Sequence, residues 1–272
     1  MNITVGVLAL QGAFLEHLNL LRDAVKNLQS TNDEVATLAK WSFIEVRTPA
    51  ELEQCDGLII PGGESTTMSL VAARSNLLEP LRDFVKVHRK STWGTCAGLI
   101  MLSESANRTK KGGQELIGGL DIRVNRNYFG RQTDSFVTDL HLPFLSPNPD
   151  EQVFSAVFIR APVVETILPH RDGVQVEEEK DVNMVVAPAR EAGDEGARRA
   201  MSGEVDVLAR LDRHKAGKGD DKKEEGDESG EIVAVKQGNV FGTSFHPELT
   251  DDSRIHMWWL KEVFNSVKAR SA

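Results

Sequence analysis

The sequence has little of several features that would assign it to a specialised class of protein. It contains only two cysteines in 272 residues, and its formal net charge is −9. Two cysteines suit a reducing cytosol better than a disulfide framework, and net negative charge argues against a nucleic-acid-binding surface. No apolar stretch reaches the roughly 18 residues that a membrane-spanning helix needs. We therefore expect a cytoplasmic protein that binds neither membranes nor nucleic acid.

Motifs for cofactors and metals are missing as well. The sequence contains no Walker motif and no Gly-x-Gly-x-x-Gly pattern. Its seven histidines are scattered, without metal-ligand spacing to cysteine or acidic residues. We therefore expect no cofactor and no metal. The chain opens on an apolar segment, residues 3–10, without a basic n-region or cleavage site, and this argues against secretion.

Apolar strand-like segments alternate with helical ones through the N-terminal half. Short apolar segments occur near residues 3–10, 43–46 and 58–60, and amphipathic stretches near 14–26 and 66–74 lie between and after them. This alternation indicates an α/β three-layer sandwich with a mostly parallel central sheet. The chain is long enough to bury one good core.

A highly charged region interrupts this pattern within about residues 187–230. Of the 20 residues 212–231, 13 are charged, and only Ala216 is apolar. Such a stretch cannot bury enough apolar surface to offset its ordering entropy. We expect disordered surface loops at residues 191–203 and 215–230, separated by a strand at 205–211. The whole chain, 1–272, is then a single domain with an insertion; a partner-binding acidic tether is the alternative interpretation of the insertion.

One cysteine lies where a nucleophile could form. Cys96 is the centre of Gly94-Thr95-Cys96-Ala97-Gly98, between a predicted strand and a predicted helix. This is the nucleophile-elbow pattern with cysteine in place of serine. Glycines suit a tight turn in which larger neighbours would block the sulfur, and a helix N-terminus favours the thiolate. The alternative is a small buried residue between packing glycines.

A thiolate needs a base, and the base needs an orienting group. Near the C-terminus, His246-Pro247-Glu248 offers both. In an extended segment, side chains two positions apart face the same way, and Pro247 discourages a helix here. We therefore predict that Glu248 orients the imidazole of His246 toward Cys96. A surface His-Pro-Glu turn is the alternative.

A glycine pair follows the apolar segment at 58–60. Pro61-Gly62-Gly63 ends this predicted strand, and residues 64–67 offer N-cap chemistry to the next helix. A bare glycine backbone can present its N–H groups to an oxyanion. We predict an oxyanion hole formed by the N–H groups of Gly63 and Ala97. By itself, this segment could equally be a simple turn.

Six segments, taken together, resemble one known family. They are residues 6–13, 61–68, 94–99, 126–132, 158–162 and 244–250, in the family's order. Their sequences are similar to those of the class I, or triad, glutamine amidotransferases. Within that family they most resemble the glutaminases that serve pyridoxal 5′-phosphate synthases. The resemblance implies the class I fold with a flavodoxin-like core.

The resemblance also implies an activity and a partner. The activity is hydrolysis of L-glutamine to glutamate and ammonia, with ammonia channelled to a (β/α)8-barrel pyridoxal 5′-phosphate synthase subunit. Cys96 would be the nucleophile, His246 the acid and base, and Glu248 its orienting group. The residues implied to line the glutamine site are Gly62, Gly63, Glu64, Arg126, Ile159 and Arg160. Arginine suits the α-carboxylate, and Glu64 or backbone carbonyls could meet the α-ammonium group.

Three other functions remain open from the sequence. The chain could be a glutaminase that feeds another synthase, such as one making imidazole glycerol phosphate. It could be a cysteine hydrolase on the same architecture, or a binding module that retains the fold without activity. By resemblance, the face near Gln11 and Gly12 is a candidate contact for the synthase.

Overall fold

A computed structural model describes residues 1–108, 114–126, 135–212 and 230–271. Residues 127–132 of the fourth family-like segment lie outside the described residues. The loop expected at 215–230 also lies outside them, apart from Gly230.

The described residues form thirteen strands and nine α-helices. The strands are β1 (Asn2–Leu8), β2 (Lys40–Val46), β3 (Gly57–Ile60), β4 (Ser91–Thr95), β5 (Ser103–Asn107), β6 (Leu120–Asn125), β7 (Ser135–His141), β8 (Val153–Ile159), β9 (Val163–Ile167), β10 (Met184–Val186), β11 (Asp206–Leu211), β12 (Glu231–Gln237) and β13 (Val240–Thr243). The helices are α1 (Phe14–Ser30), α2 (Glu34–Leu38), α3 (Pro49–Glu53), α4 (Ser65–Arg74), α5 (Leu78–Arg82), α6 (Ala97–Leu102), α7 (Val176–Glu179), α8 (Glu195–Ser202) and α9 (Arg254–Ser271). A π-helical turn, Asp83–Val87, continues α5, and short 3-10 turns lie at Pro143–Leu145, Pro149–Glu151 and Pro247–Leu249.

One large mixed sheet organises the molecule. Its strand order is β10-β5-β6-β9-β12-β13-β4-β3-β1-β2, and β11 pairs with β12 off this path. The run β13-β4-β3-β1-β2 is parallel throughout. Strand β12 runs antiparallel to β13 and begins the mixed half, while β7 and β8 form a separate two-stranded sheet. The parallel centre confirms the predicted α/β class.

Helices cover both faces of the parallel centre and complete three layers. One apolar cluster joins β1 to α1 and α9, and another joins β3 to α4, α5 and α6. Successive side chains of strand β3 point to opposite faces of the sheet: Ile59 belongs to the first cluster, whereas Leu58 and Ile60 belong to the second. Each of these fully buried aliphatic side chains contributes about 1.5–3 kcal/mol. Among the described helices, none is both long and apolar enough to cross a membrane.

The parallel strands bring three loops to one edge of the sheet. Ile60 at the end of β3 pairs with Gly94 of β4, and Thr243 at the end of β13 pairs with Thr95. The segments that follow these three strands therefore emerge side by side. Ligands of open α/β sheets bind at the carboxyl ends of such strands. The residues predicted to carry the chemistry follow β3, β4 and β13 directly.

Part of the charged insertion is ordered, contrary to expectation. The loop expected at 191–203 contains helix α8. Asp194 caps this helix, because its Oδ1 accepts a hydrogen bond of 2.7 Å from the backbone N–H of Ala197. The prediction of disorder was wrong here because it was based on composition alone, whereas the N-cap residue Asp194 stabilises a helix in this charged stretch.

The insertion also docks on the sheet. Gln237 at the end of β12 donates from Nε2 to the carbonyl oxygens of Met201 and Gly203, each at 2.8 Å. The expected strand at 205–211 is present as β11, which pairs antiparallel with β12. Backbone pairing and side-chain docking supply the stabilisation that the insertion's own apolar content does not.

Candidate active site

Cys96 occupies the turn between β4 and α6. Its backbone has φ of 48° and ψ of −100°, a sparsely populated conformation for a residue with a side chain. The N–H of Cys96 donates to the carbonyl of Thr243 at 2.8 Å, which ties the turn to the end of β13. The predicted strand–turn–helix elbow is therefore present, with strain at the cysteine itself.

The two glycines of the elbow have a different role from the one expected. A Cβ at Gly98 would lie 2.0 Å from the backbone oxygen of Ile60, and one at Gly94 would lie 2.4 Å from the carbonyl carbon of Gly98. Both glycines allow α6 to pack directly on β3 and β4. Close contact between backbones, and not access to the sulfur, requires them.

His246 and Glu248 form a close, buried pair. His246 Nδ1 lies 2.7 Å from Glu248 Oε1, and the Glu248 side chain is fully buried. The chain does not reach this geometry through an extended segment. Pro247 begins a 3-10 turn, Pro247–Leu249, because its fixed φ suits the first helical position. The predicted pairing is present, but the turn produces it.

His246 also faces the elbow cysteine. A Cβ at Gly62 would lie 2.3 Å from His246 Cε1 and 3.4 Å from Cys96 Cβ, so all three residues meet at one point. Burial alone lowers the pKa of His246, but hydrogen bonds and charges from Cys96 and Glu248 outweigh it and raise this pKa to about 10. At neutral pH the imidazole is protonated. The protonated imidazole places a positive charge beside the sulfur of Cys96.

Glu248 is ionised despite its burial. Burial alone would raise the pKa of Glu248, whereas His17, in its protonated form, and the hydrogen bond and charge of His246 lower this pKa below the ordinary value. Because Nδ1 of His246 is hydrogen-bonded to Glu248, Nε2 is the ring nitrogen that remains available to interact with Cys96. The arrangement is chemically that of a nucleophile, a base and an orienting acid.

The loop after β3 contributes the predicted glycine pair. Gly63 has φ of 157°, and a Cβ there would lie 3.2 Å from Gln11 Oε1. Gln11 Oε1 accepts a hydrogen bond of 3.0 Å from the N–H of Glu64, so it holds the same loop from the β1 side. Across the elbow, Ala97 is the first residue of α6, and the N–H groups of a first helical turn have no partner within the helix.

Glu64 and Arg126 lie beside this loop. Glu64 caps α4, since its carboxylate accepts hydrogen bonds from the N–H groups of Thr66 and Thr67 at 3.1 and 2.7 Å. Arg126 donates from Nη2 to Ser65 Oγ at 2.9 Å and Thr66 Oγ1 at 3.0 Å. Burial lowers the pKa of Arg126, which Glu64 partly offsets. The structure thus joins both residues at the N-terminus of α4.

Ile159 and Arg160 differ in their relation to the cysteine. The carbonyl oxygen of Ile159 lies 4.0 Å from Cys96 Sγ, so its backbone borders the site. Arg160 has φ of 46° and is exposed. Among the described residues, no hydrogen bond or ion pair holds its guanidinium group. The structure places the Ile159 backbone beside Cys96 and Arg160 at the exposed rim.

A buried histidine missed by the sequence analysis lies behind Glu248. His17 of α1 has no exposed surface, and its Nε2 lies 3.4 Å from Glu248 Oε2. Only its place on the inward face of an amphipathic helix could have singled it out. No group of three or more His, Cys, Asp or Glu side chains suited to a metal occurs in the part of the chain that the structure describes.

Comparison with known proteins places this chain in a family. A sequence model of the SNO glutamine amidotransferase family matches residues 7–192 and 212–265. The chain belongs to this family. A relative from Dictyostelium discoideum, named probable pyridoxal 5′-phosphate synthase subunit pdx2, is 36% identical over 97% of this chain and 94% of its own length. Subunit SNO1 of pyridoxal 5′-phosphate synthase from Saccharomyces cerevisiae is 37% identical, over 96% of this chain and 93% of its own length.

Solved structures agree with this SNO-family membership. A crystal structure of a glutamine amidotransferase superposes with a TM-score of 0.61 at 33% identity, covering 96% of this chain and 98% of the other. The crystal structure of a GMP synthase component from Thermoplasma acidophilum has a TM-score of 0.50 at 10% identity, over 99% of this chain and 98% of the other, and shows the fold alone. The predicted glutamine amidotransferase family and fold class are confirmed.

The family match leaves one part of the charged region, residues 193–211, unmatched. Residues 193–211 fall between the two matched segments, and they contain α8 and β11. This unmatched segment docks through Gln237, at the opposite end of the sheet from Cys96. Residues 193–211 therefore dock away from the candidate site.

Proposed function

We propose that this chain is the glutaminase subunit of a pyridoxal 5′-phosphate synthase, and that Cys96, His246 and Glu248 form its catalytic triad. The contact of His246 with both Glu248 and the elbow cysteine is the observation that carries the proposal. The names of full-length relatives at 35–40% identity support the synthase assignment.

The reaction begins at the ion pair of Cys96 and His246. The thiolate of Cys96 adds to the side-chain amide carbon of L-glutamine, and the oxyanion that forms is held by the N–H groups of Gly63 and Ala97. His246 gives its Nε2 proton to the leaving nitrogen. The carbon–nitrogen bond breaks, ammonia departs, and a γ-glutamyl thioester remains on Cys96.

Water completes the cycle. The neutral imidazole of His246 takes a proton from a water molecule, whose oxygen adds to the thioester carbon. The carbon–sulfur bond breaks and releases glutamate, and the thiolate–imidazolium pair is restored. Glu248 stays ionised throughout and holds the imidazole in its working orientation. Each role uses a residue that lies at or beside the elbow.

Substrate binding uses the residues around the nucleophile. We assign the α-carboxylate of glutamine to Arg126 and the rim residue Arg160, and the α-ammonium group to Glu64 and backbone carbonyls. Gly62, Gly63 and the backbone of Ile159 complete the walls. Removal of one oxyanion donor typically lowers kcat about 100- to 1000-fold. The N–H of Gly63 in the loop after β3 therefore has to lie within hydrogen-bonding distance of the oxyanion.

The partner of this chain is a (β/α)8-barrel synthase subunit that receives the ammonia. We place its contact near Gln11 and Gly12, because Gln11 holds the loop after β3 through the N–H of Glu64. A partner bound there could fix the position of the loop after β3, which carries the proposed oxyanion donor Gly63. The free thiols of Cys55 and Cys96 support a cytoplasmic location.

The decisive experiment compares wild type with Cys96→Ala, each mixed with a co-purified synthase subunit. Wild type releases glutamate from L-glutamine, and Cys96→Ala releases none above background. Cys55→Ala is the matched control, since this second cysteine is buried away from the site, and it keeps the wild-type rate. Glutamate release by Cys96→Ala would refute the triad. Glutaminase activity with an imidazole glycerol phosphate synthase barrel, but not with a pyridoxal 5′-phosphate synthase barrel, would refute the assignment of the partner.

A further inference from the structure

Two buried histidines lie behind Glu248, and the proposed reaction does not use them. His17 belongs to α1 and His256 to α9, and neither has any exposed surface. His17 Nδ1 lies 3.0 Å from His256 Nε2, while His17 Nε2 lies 3.4 Å from both Glu248 Oε2 and Thr95 Oγ1. A continuous row of polar groups therefore runs from α9 through His17 and Glu248 to His246.

The carboxylate selects one tautomer of this row. A neutral imidazole has one N–H donor and one acceptor nitrogen. A lone pair on His17 Nε2 would repel the Glu248 carboxylate, so the proton belongs on Nε2. Nδ1 of His17 then accepts from Nε2–H of His256. In this tautomer the Nε2–H groups of His256 and His17 lie on the Glu248 side of their rings, and that of His17 also lies within 3.4 Å of Thr95 Oγ1.

Both histidines remain neutral. Burial lowers the pKa of His17; the charge of His246 adds to this effect, while Glu248 and Glu16 oppose it. Burial lowers the pKa of His256 well below its ordinary value, and His17 lowers it further. A neutral His17 offers Glu248 a donor without neutralising its charge. The carboxylate consequently keeps its full charge for His246.

Glu248 has a specific need for such a donor. One carboxylate oxygen, Oε1, is bonded to His246, whereas Oε2 meets no donor at bonding geometry within the described residues. A buried charge with an unsatisfied oxygen is costly, and electrostatic contacts are strong where water is excluded. The distance of 3.4 Å between His17 Nε2 and Glu248 Oε2 is longer than an ideal hydrogen bond. It is still short enough for the N–H dipole to stabilise the negative charge of the carboxylate.

We propose that His17 is a positioning residue for Glu248, holding Oε2 so that Oε1 stays directed at His246 Nδ1. The proposal rests on the proposed triad. Trp93 keeps the His17 ring in place from the side, with ring centroids 5.5 Å apart in an edge-to-face contact. Loss of the His17 donor lets the carboxylate turn or take up a proton. The imidazolium of His246, and with it the thiolate, is then less favoured.

A matched pair of amide variants tests this role. In His17→Gln the side-chain nitrogen can reach the position of Nε2, whereas in His17→Asn it reaches only the position of Nδ1. The assay is the pH profile of Cys96 alkylation by iodoacetamide in the isolated full chain, with the modified peptide identified by mass spectrometry. We expect the midpoint to rise by about one pH unit in His17→Asn and to stay near wild type in His17→Gln.

Glutaminase assays with the synthase subunit provide the second readout. We expect kcat of His17→Asn to fall about 10- to 100-fold with KM for glutamine unchanged, as for other groups that orient a functional histidine. Leu21→Ala is the control for packing, since Leu21 is a buried residue of the same helix. It should lower the melting temperature and leave the alkylation midpoint unchanged.

The possible outcomes separate the two proposals. His246→Ala, measured alongside, must shift the alkylation midpoint; if it does not, the triad itself is wrong. If His246→Ala shifts the midpoint while His17→Asn and His17→Gln behave alike, His17 is only a packing residue and the inference fails. His17→Phe, which keeps the ring without a donor, replaces His17→Asn if that variant does not fold, and must show the same shift.

Discussion

Two buried polar clusters lie at opposite ends of β4, and they are built differently. After β4, Cys96 and His246 combine a strained backbone with two titratable groups, between which we propose proton transfer. Before β4, Arg89 donates to the carbonyl oxygens of Gly119 at 2.8 Å and Gln237 at 2.9 Å. The first cluster pairs titratable side chains with each other, whereas the second pairs a cation with backbone acceptors.

The difference separates what serves the chemistry from what serves the fold. Burial lowers the pKa of Arg89 to about 10, partly opposed by Asp121 and Glu104, so the side chain still carries its charge at neutral pH. Its hydrogen bonds to backbone carbonyls hold together the chain segments around β12. At the other end, hydrogen bonds and charges from Cys96 and Glu248 outweigh burial and raise the pKa of His246 to about 10, and we propose that this proton takes part in the reaction. Mutations at the two ends should therefore affect different measurable quantities.

The largest effect is expected at the catalytic end. His246→Ala should lower kcat for glutamate release by about 10³- to 10⁶-fold, as for the base of other triads. Its free energy of unfolding should change far less than its activity. His88→Ala, at an exposed histidine before β4, is the control and should keep full activity. If His246→Ala kept more than a tenth of wild-type kcat, the cluster after β4 would not be the catalytic one, and the proposed difference between the two ends of β4 would be wrong.

The opposite end should show the converse behaviour. Arg89→Leu leaves the carbonyls of Gly119 and Gln237 without their buried donor, and we expect the free energy of unfolding to fall by about 2–5 kcal/mol. Urea denaturation measures this loss. Fully folded Arg89→Leu should keep wild-type kcat. Arg198→Leu, at an exposed arginine of α8, should change stability by no more than about 0.5 kcal/mol; equal effects of both variants would contradict the structural role of Arg89.

The pH dependence of stability sharpens the comparison further. The pKa of His246 is raised from 6.5 to about 10, so the folded state holds a proton that the unfolded state loses. This contribution is fully present below pH 6.5 and is lost as the pH rises toward 10. Between those values, wild type should lose more stability than His246→Gln in urea titrations. Parallel stability curves for the two proteins would show that the proton is not held in the folded site.

The smallest effect is expected from shortening the insertion. Leu211 of β11 pairs with Glu231 of β12, so the chain enters and leaves residues 213–229 at neighbouring points. Replacing these residues with a short glycine-containing turn should leave kcat unchanged and alter stability by less than about 1 kcal/mol, because loop length has little effect on closure entropy. Glutamate release and urea midpoints test this. Loss of synthase binding in the shortened chain would favour the acidic-tether interpretation.

Local patterns of the sequence singled out most of the residues of the proposed site. Cys96 between glycines indicated an elbow, and His246 with Glu248 indicated an oriented base, because both patterns depend on neighbours in the chain. The glycines were correctly singled out for the wrong reason. Only the packing of α6 against β3 shows that Gly98 lies against the backbone oxygen of Ile60.

Other features could not be predicted because they depend on distant segments. Helix α8 forms in a charged stretch since Asp194 caps it and Gln237 binds its C-terminal end. His17 lies far before Glu248 in the chain, and a lone histidine on a helix carries no signal of its partner. The role proposed for it requires α1, α9 and the turn after β13 to meet.

The sequence by itself determined the class of fold and the family, and it singled out the residues that we propose as reactive, because hydrophobic period and short-range turn chemistry are local properties. The tertiary structure decided the rest. It brought three strand ends together, buried Glu248 between two histidines, and ordered part of the insertion. Those outcomes depend on contacts between segments far apart in the chain, whose free energy no short stretch of sequence contains.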